Sequence, residues 1–187
     1  MDEHVYPFEA EALRALGAEV PVDSDRAYPE ILVDIRERAR SEGLWNLFMP
    51  DSEHGAGLTN WEYGVLCEEM GRSPAIAPMA FNCSAPDTGN MEVFMKYATP
   101  AQQAQWLTPL LAGEIRSSYA MTEPQVASSD ATNIELRIER EGDEWVIRGH
   151  KWFASGADGA AFAICMAVTD PEADIPHRRA SMIIVPV

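Results

Sequence analysis

The stretch NIELRIEREGDEWVIR, Asn133–Arg148, decides how the rest of the sequence is interpreted. Its isoleucines and leucine alternate with charged residues, and this period of two is typical of a strand with one buried and one solvated face. The connection at 141–143 has three residues and contains a glycine, as hairpin loops often do. The stretch therefore predicts an antiparallel β-hairpin.

The sequence before this hairpin has helical periodicity. Four segments space their apolar residues by three or four positions and are separated by Gly or Pro: 29–40, 59–70, 90–97 and 99–113. In the first, an apolar stripe lies opposite Arg36, Glu37 and Arg40. Two of these segments begin with the spacing of a capping box, formed by Thr59 with Glu62 and by Thr99 with Gln102. We expect Pro109 to end the last helix early.

The order of these segments predicts the fold class. Two apolar runs after the hairpin, Ala160–Val168 and Ala180–Val185, predict further strands. A helical block thus precedes a β block, which indicates an α+β fold with an all-α domain at 1–113 and a middle β domain at 114–187. We expect the β domain to be antiparallel, like the hairpin. We also expect it to be incomplete, because the sequence stops directly after its last strand.

Composition and charge narrow the classes of partner. The 14 basic and 30 acidic residues give a net charge of −16, which opposes binding to nucleic acid or to an anionic membrane surface. The longest apolar run is about half the length that a membrane span requires. The three cysteines lie far apart and form no CxxC pair, and the N-terminus is acidic and lacks a secretion signal. Both features favour a soluble, cytoplasmic protein.

Common catalytic motifs are absent from the sequence. It contains no GxSxG, GxGxxG, P-loop or HExxH pattern, and no spaced Cys/His cluster. The four histidines are scattered among polar residues, so we interpret them as surface imidazoles and predict no metal site.

Two segments combine aromatic rings with hydroxyl groups: Tyr119–Asp130, YAMTEPQVASSD, and Lys151–Gly156, KWFASG. Apolar faces with a few hydroxyl donors are what a flat heteroaromatic cofactor requires. The alternative is that the first segment is a turn-rich crossover between the helices and the sheet.

The same segments carry a family resemblance. The strings PDTGNMEVF, LLAGEI, YAMTEP, SSD, GDEWVIRGHKWF and ASGA, in this order and spacing, resemble the acyl-CoA dehydrogenases. The likeness spans nearly the whole sequence, and it is greatest to the subgroup with TEPQVASSDATNI in place of the wider family's TEPGAGSD. The resemblance implies an N-terminal helical domain, a middle β domain and a C-terminal helical domain that this sequence lacks.

The resemblance also implies roles for individual residues. The residues that match flavin-contacting positions of the family, and so imply FAD as the cofactor, are Tyr119, Met121, Thr122, Ser129, Phe153, Ala154 and Ser155. Thr122 matches a hydroxyl at the N1/O2 edge of the flavin, and Ser155 matches one at N5. Phe153 and Ser155 depart from the family's Trp and Thr. Ser129 also matches a contact to the substrate's pantetheine, and the inserted Ser128 is the other candidate for it.

In the family, an acyl-CoA thioester is oxidised to a trans-2-enoyl-CoA, and electron-transferring flavoprotein then reoxidises the flavin. The resemblance implies a homodimer or homotetramer and a catalytic glutamate that lies beyond Val187, so no residue here is identified as the catalytic base. Glu114, Glu123 and Glu144 are interpreted as cap or surface residues. The alternatives are a non-catalytic acyl-CoA- and flavin-binding partner subunit, and a flavin monooxygenase or nitroalkane oxidase on the same fold.

Overall fold

The computed structural model describes residues 1–17 and 30–187. The chain divides into two compact units, Met1–Ile115 and Arg116–Val187. The first contains the described α-helices, and the second contains the strands and two short 3-10 helices. This arrangement confirms the predicted α+β class.

The first unit is built from helices that follow one another along the chain. Their bounds are α1 Glu9–Gly17, α2 Glu30–Ser41, α3 Asn60–Met70, α4 Ala77–Ala80, α5 Asp87–Tyr97, α6 Pro100–Gln102 and α7 Thr108–Leu111. A π-helical turn, Gln103–Leu107, joins α6 to α7. The predicted start of α2 at Pro29 lies outside the described residues.

Both predicted capping boxes are confirmed. At the start of α3, the amide of Glu62 donates to Thr59 Oγ1 while the Glu62 carboxylate accepts the amide proton of Thr59 at 2.8 Å. Thr99 and Gln102 repeat the arrangement at α6. The two side chains of each box satisfy amides that the first helical turn leaves without intrahelical partners.

Pro109 does not end the last helix, contrary to the prediction. Helical structure continues from Pro100 to Leu111 because the π-helical turn lies just before the proline. The wider turn bonds the Thr108 amide to the carbonyl of Gln103, five residues earlier, at the point where the proline ring disturbs regular α-helical bonding.

The helical pattern predicted Arg36 on the solvated face of α2. In the structure it is buried in the first unit. Its guanidinium donates to the carbonyls of Met79 and Gly113, and it lies 4.8 Å from the centre of the Trp45 ring. A buried arginine is stable there because carbonyl acceptors and an aromatic face replace its hydration.

The second unit contains one five-stranded sheet. Its strands are β1 Ser117–Ala120, β2 Arg137–Glu141, β3 Glu144–Arg148, β4 Phe162–Val168 and β5 Ala180–Pro186. The hairpin of β2 and β3 is confirmed, with Ile138 opposite Ile147. Its loop is 142–143 and not 141–143 as predicted, because Glu141 pairs with Glu144. The antiparallel expectation for the whole domain is corrected, because β4 pairs in parallel with β1 and β2 and antiparallel only with β5.

The pairing of β4 determines where the polar segment lies. Because β5 pairs with the full length of β4, β1 and β2 share the other edge of that strand. Ala120 pairs with Cys165 and Arg137 pairs with Val168. The chain therefore leaves this edge after Ala120, runs through 121–136, and returns to the same edge. We call residues 121–136 the excursion.

Strand β2 begins at Arg137, four residues later than the alternating pattern predicted. Ile134 and Leu136 are buried as expected. The amides of Glu135 and Leu136 bond the carboxylate of Glu123 instead of a neighbouring strand, which keeps this part of the excursion out of the sheet.

No helix in the two described ranges is long and apolar enough to cross a membrane.

Candidate functional site

The two polar segments lie side by side in the second unit. The Trp152 amide donates to the carbonyl of Thr122 at 3.0 Å, and the Ser118 hydroxyl donates to the carbonyl of Ser155 at 2.9 Å. These two bonds hold β1 and its continuation next to residues 151–155, which run in the opposite direction. The structure thus brings together the residues that the sequence analysis selected from 119–122 and 153–155.

In the second segment, one partly buried residue lies between two exposed ones. Ala154 packs against the core of the sheet, which includes Ala120, Leu136 and Cys165. Its neighbours Phe153 and Ser155 are exposed. An inward alanine between two outward side chains fixes the segment on the core and presents a ring and a hydroxyl on its outer side.

Phe153 has the most unusual conformation in the site. Its backbone lies in the left-handed region, at φ +48°, and its side chain is 80% exposed. The ring lies 4.7 Å from that of Trp152 between centroids. A bulky residue rarely adopts this φ, and an apolar ring gains nothing from exposure to water, so this combination is typical of a residue held for a ligand.

Three of the predicted residues on the first segment are half-buried. Tyr119, Met121 and Thr122 lie at the end of β1 and the start of the excursion. Burial raises the pKa of the Tyr119 phenol, and nearby Cys165 raises it further, so the hydroxyl stays protonated at neutral pH.

The two adjacent serines have different environments. Ser128 is buried, and its hydroxyl accepts the amide proton of Glu123 at 2.6 Å. Ser129 is exposed. The Ser128 hydroxyl therefore holds the turn of the excursion together, and Ser129 has the accessible hydroxyl of the two.

A buried ion pair joins these two segments, and the sequence analysis missed it. The Lys151 ammonium is 2.8 Å from Glu123 Oε1, with the two side chains 8% and 4% exposed. Interpreting Glu123 as a cap or surface residue is therefore wrong, whereas Glu114 and Glu144 are exposed. Twenty-eight positions separate the pair, and no periodic pattern links residues so far apart.

The carboxylate of Glu123 is held in its charged form. Burial alone would raise its pKa, but the bond from Lys151 and the amides of Glu135 and Leu136 outweigh burial and lower the pKa below the usual value. These amides lie at 2.9 Å and 3.0 Å from its two oxygens. A carboxylate with this many donors is poorly suited to accept a proton in a reaction.

No group of three or more His, Cys, Asp or Glu side chains in the described part of the chain is placed to hold a metal ion. The site offers hydroxyls, backbone groups and aromatic rings instead. These groups suit an organic ligand.

Family models match both units. The N-terminal domain of acyl-CoA dehydrogenase matches residues 3–114, and its middle domain matches residues 118–187. The chain belongs to the acyl-CoA dehydrogenase family. The match to the middle domain includes every residue of the candidate site.

Individual acyl-CoA dehydrogenases support this membership. Acyl-CoA dehydrogenase family member 10 of Mus musculus is 50% identical over 100% of this chain. A solved Mycobacterium abscessus protein assigned to the family is 47% identical over 99% of this chain, with a TM-score of 0.86. A Mycobacterium smegmatis glutaryl-CoA dehydrogenase in complex with FADH2 shares the fold, at 19% identity over 88% of this chain and 47% of its own, and a TM-score of 0.61.

The chain spans 18% of the mouse relative and 47% of the Mycobacterium abscessus chain. It corresponds to less than half of either acyl-CoA dehydrogenase.

Proposed function

We propose that the protein is an FAD-dependent acyl-CoA dehydrogenase that oxidises an acyl-CoA thioester to a trans-2-enoyl-CoA. Membership of the family supports the reaction class. The observation that carries the proposal is the exposed, left-handed Phe153 beside the end of β1. Its ring offers an apolar face next to hydroxyls and backbone groups, the combination that a flavin ring requires.

The residues of the candidate site fit a flavin. Phe153 would pack against the ring system, and Thr122 with the backbone around Met121 would contact its pyrimidine edge. Ser155 would place its hydroxyl where the hydride arrives, and Ser129 would contact the pyrophosphate or the pantetheine of the substrate. When bound, FAD supplies the hydride acceptor.

None of the carboxylates near this site is proposed as the catalytic base. Glu123 is buried and engaged by three donors, and its pKa is lowered. We propose that the glutamate that removes the α-proton belongs to sequence outside this chain. We also propose electron-transferring flavoprotein as the electron acceptor and a homodimer or homotetramer as the assembled form.

An anaerobic titration tests this function. The purified full-length protein is expected to contain FAD and to lose its absorbance near 450 nm when a suitable acyl-CoA is added, with formation of an enoyl-CoA. Straight, branched and hydroxylated acyl-CoAs form the test series.

Other outcomes of this titration favour the alternatives. A protein that takes up no FAD is not a flavin dehydrogenase. A protein that binds FAD and acyl-CoA without reduction is a binding subunit. Reduced flavin that air reoxidises rapidly favours the monooxygenase or oxidase alternative.

A further inference from the structure

The buried pair Glu123 and Lys151 has a geometry that connects it to both polar segments. The Lys151 ammonium donates to Glu123 Oε1 and to the carbonyl of Met121, each at 2.8 Å. The next residue, Trp152, donates its amide to the carbonyl of Thr122. Two consecutive carbonyls at the end of β1 are thus held by two consecutive residues of the other segment.

Glu123 is itself fixed from several directions. Its amide donates to Ser128, and its two carboxylate oxygens accept from the amides of Glu135 and Leu136. The backbone and side chain of this one residue therefore connect the beginning, middle and end of the excursion. Because Glu123 is held so firmly, it orients the ammonium of Lys151 toward Met121.

We propose that Lys151, oriented by Glu123, is a positioning residue for the cofactor: its bond to the Met121 carbonyl holds the end of β1 in place beside Phe153 and Ser155. The inference rests on the proposed FAD site. It assigns the pair a role beyond folding, because the Met121 bond lies in a segment that would contact the flavin.

A purely structural ion pair predicts different consequences. Breaking a buried pair from either side leaves one charge without a partner, so both single variants lose stability. If Lys151 positions the cofactor, the two single variants differ in their affinity for FAD. Lys151→Met removes the donor to Met121, whereas Glu123→Gln keeps a side-chain oxygen that can accept from Lys151, and so keeps Lys151 oriented toward that carbonyl.

The experiment compares Lys151→Met, Glu123→Gln and the double variant in the full-length protein. The measurements are the dissociation constant of FAD, the melting temperature of the apoprotein, and amide hydrogen exchange at Trp152. We expect Lys151→Met to bind FAD about 10-fold to 100-fold more weakly than Glu123→Gln, since a bond from a charged donor is lost. We also expect faster exchange at Trp152 in Lys151→Met.

The double variant separates positioning from stability. It contains no unpaired buried charge, so its melting temperature should recover relative to Lys151→Met, while its FAD affinity should stay low. Equal FAD affinities for the two single variants, or recovery of affinity in the double variant, would overturn the inference while the proposed function stands. Failure of the parent protein to bind FAD would overturn both.

Discussion

At the scale of single residues, Phe153 combines two features that cost stability. Its left-handed backbone is unfavourable for any residue with a Cβ, and its ring is exposed. The flavin contact proposed above would offset these costs in the loaded protein. The backbone strain affects stability and the ring affects FAD affinity, and substitutions can distinguish the two effects.

We expect Phe153→Gly to be more stable than Phe153→Ala by roughly 0.5 to 1 kcal/mol in the apoprotein, because only glycine relieves the left-handed strain. Both variants lose the ring, so both should bind FAD about 10-fold or more weaker than the parent. Urea unfolding and FAD titration measure the two effects. Equal stabilities would show that the conformation at Phe153 is not strained, and unchanged affinity would remove its ring from the site.

Ser155 allows a test of the hydroxyl alone. Its backbone carbonyl accepts from the Ser118 hydroxyl, so a change of the Ser155 side chain leaves this bond in place. We expect Ser155→Ala to slow flavin reduction by about 10-fold to 100-fold, with a smaller effect on FAD affinity, because the hydroxyl counts most as the hydride arrives. Ser155→Thr keeps the hydroxyl and is the control. Stopped-flow traces that coincide for the parent and the alanine variant would exclude a role for it.

At the scale of elements, the excursion 121–136 is organised by a carboxylate rather than by strand pairing. Glu123 accepts from amides at the far end of this segment, where β2 would otherwise begin. The local structure therefore depends on the ionisation of one side chain.

The lowered pKa of Glu123 predicts loss of stability in acid. Because the unfolded chain binds a proton more readily than the folded one, its contribution is fully present above the usual glutamate pKa of about 4.3 and is lost as the pH falls through the lower folded value. Below that usual value, the free energy of unfolding should fall by up to about 1.4 kcal/mol per pH unit from this group.

Urea unfolding at pH values from about 3 to about 7, in steps of about one unit, checks this dependence in the parent and in Glu123→Gln. Other acidic residues titrate in both proteins, so the difference between the two isolates Glu123. The difference should shrink as the pH falls. A difference that is constant across the range would contradict a charged Glu123 in the folded chain.

At the scale of the whole molecule, charge opposes contact between copies of the chain. The net charge is −16, while large apolar side chains are exposed in both units, among them Trp61, Tyr97 and Trp145. Apolar surface favours association and like charge resists it, so the balance depends on ionic strength.

We expect the chain to self-associate more strongly as salt rises from about 10 mM to about 500 mM, because the screening length falls several-fold over this range. Sedimentation velocity at the two salt concentrations measures the effect. Lowering the pH toward the isoelectric point near 4.5 at low salt is the control, since it removes net charge without adding ions. An unchanged sedimentation coefficient under both treatments would show that charge does not limit association.

Local patterns in the sequence determined much of this structure. The hairpin, both capping boxes and the α+β order follow from residues that are near one another in the chain, because hydrogen bonding within a turn or helix start acts over three or four positions. The ordered motifs of the sequence by themselves also indicate the family.

Only the tertiary structure decided the surroundings of the candidate site. It showed β4 pairing in parallel with β1 and β2, Ser128 facing inward, and Glu123 bonded to Lys151. A charged residue in sequence is expected at the surface, because burying it alone is costly. Glu123 is buried because its partners arrive from twelve, thirteen and twenty-eight positions away, and contacts at such separations arise from the packing of the sheet and leave no local pattern.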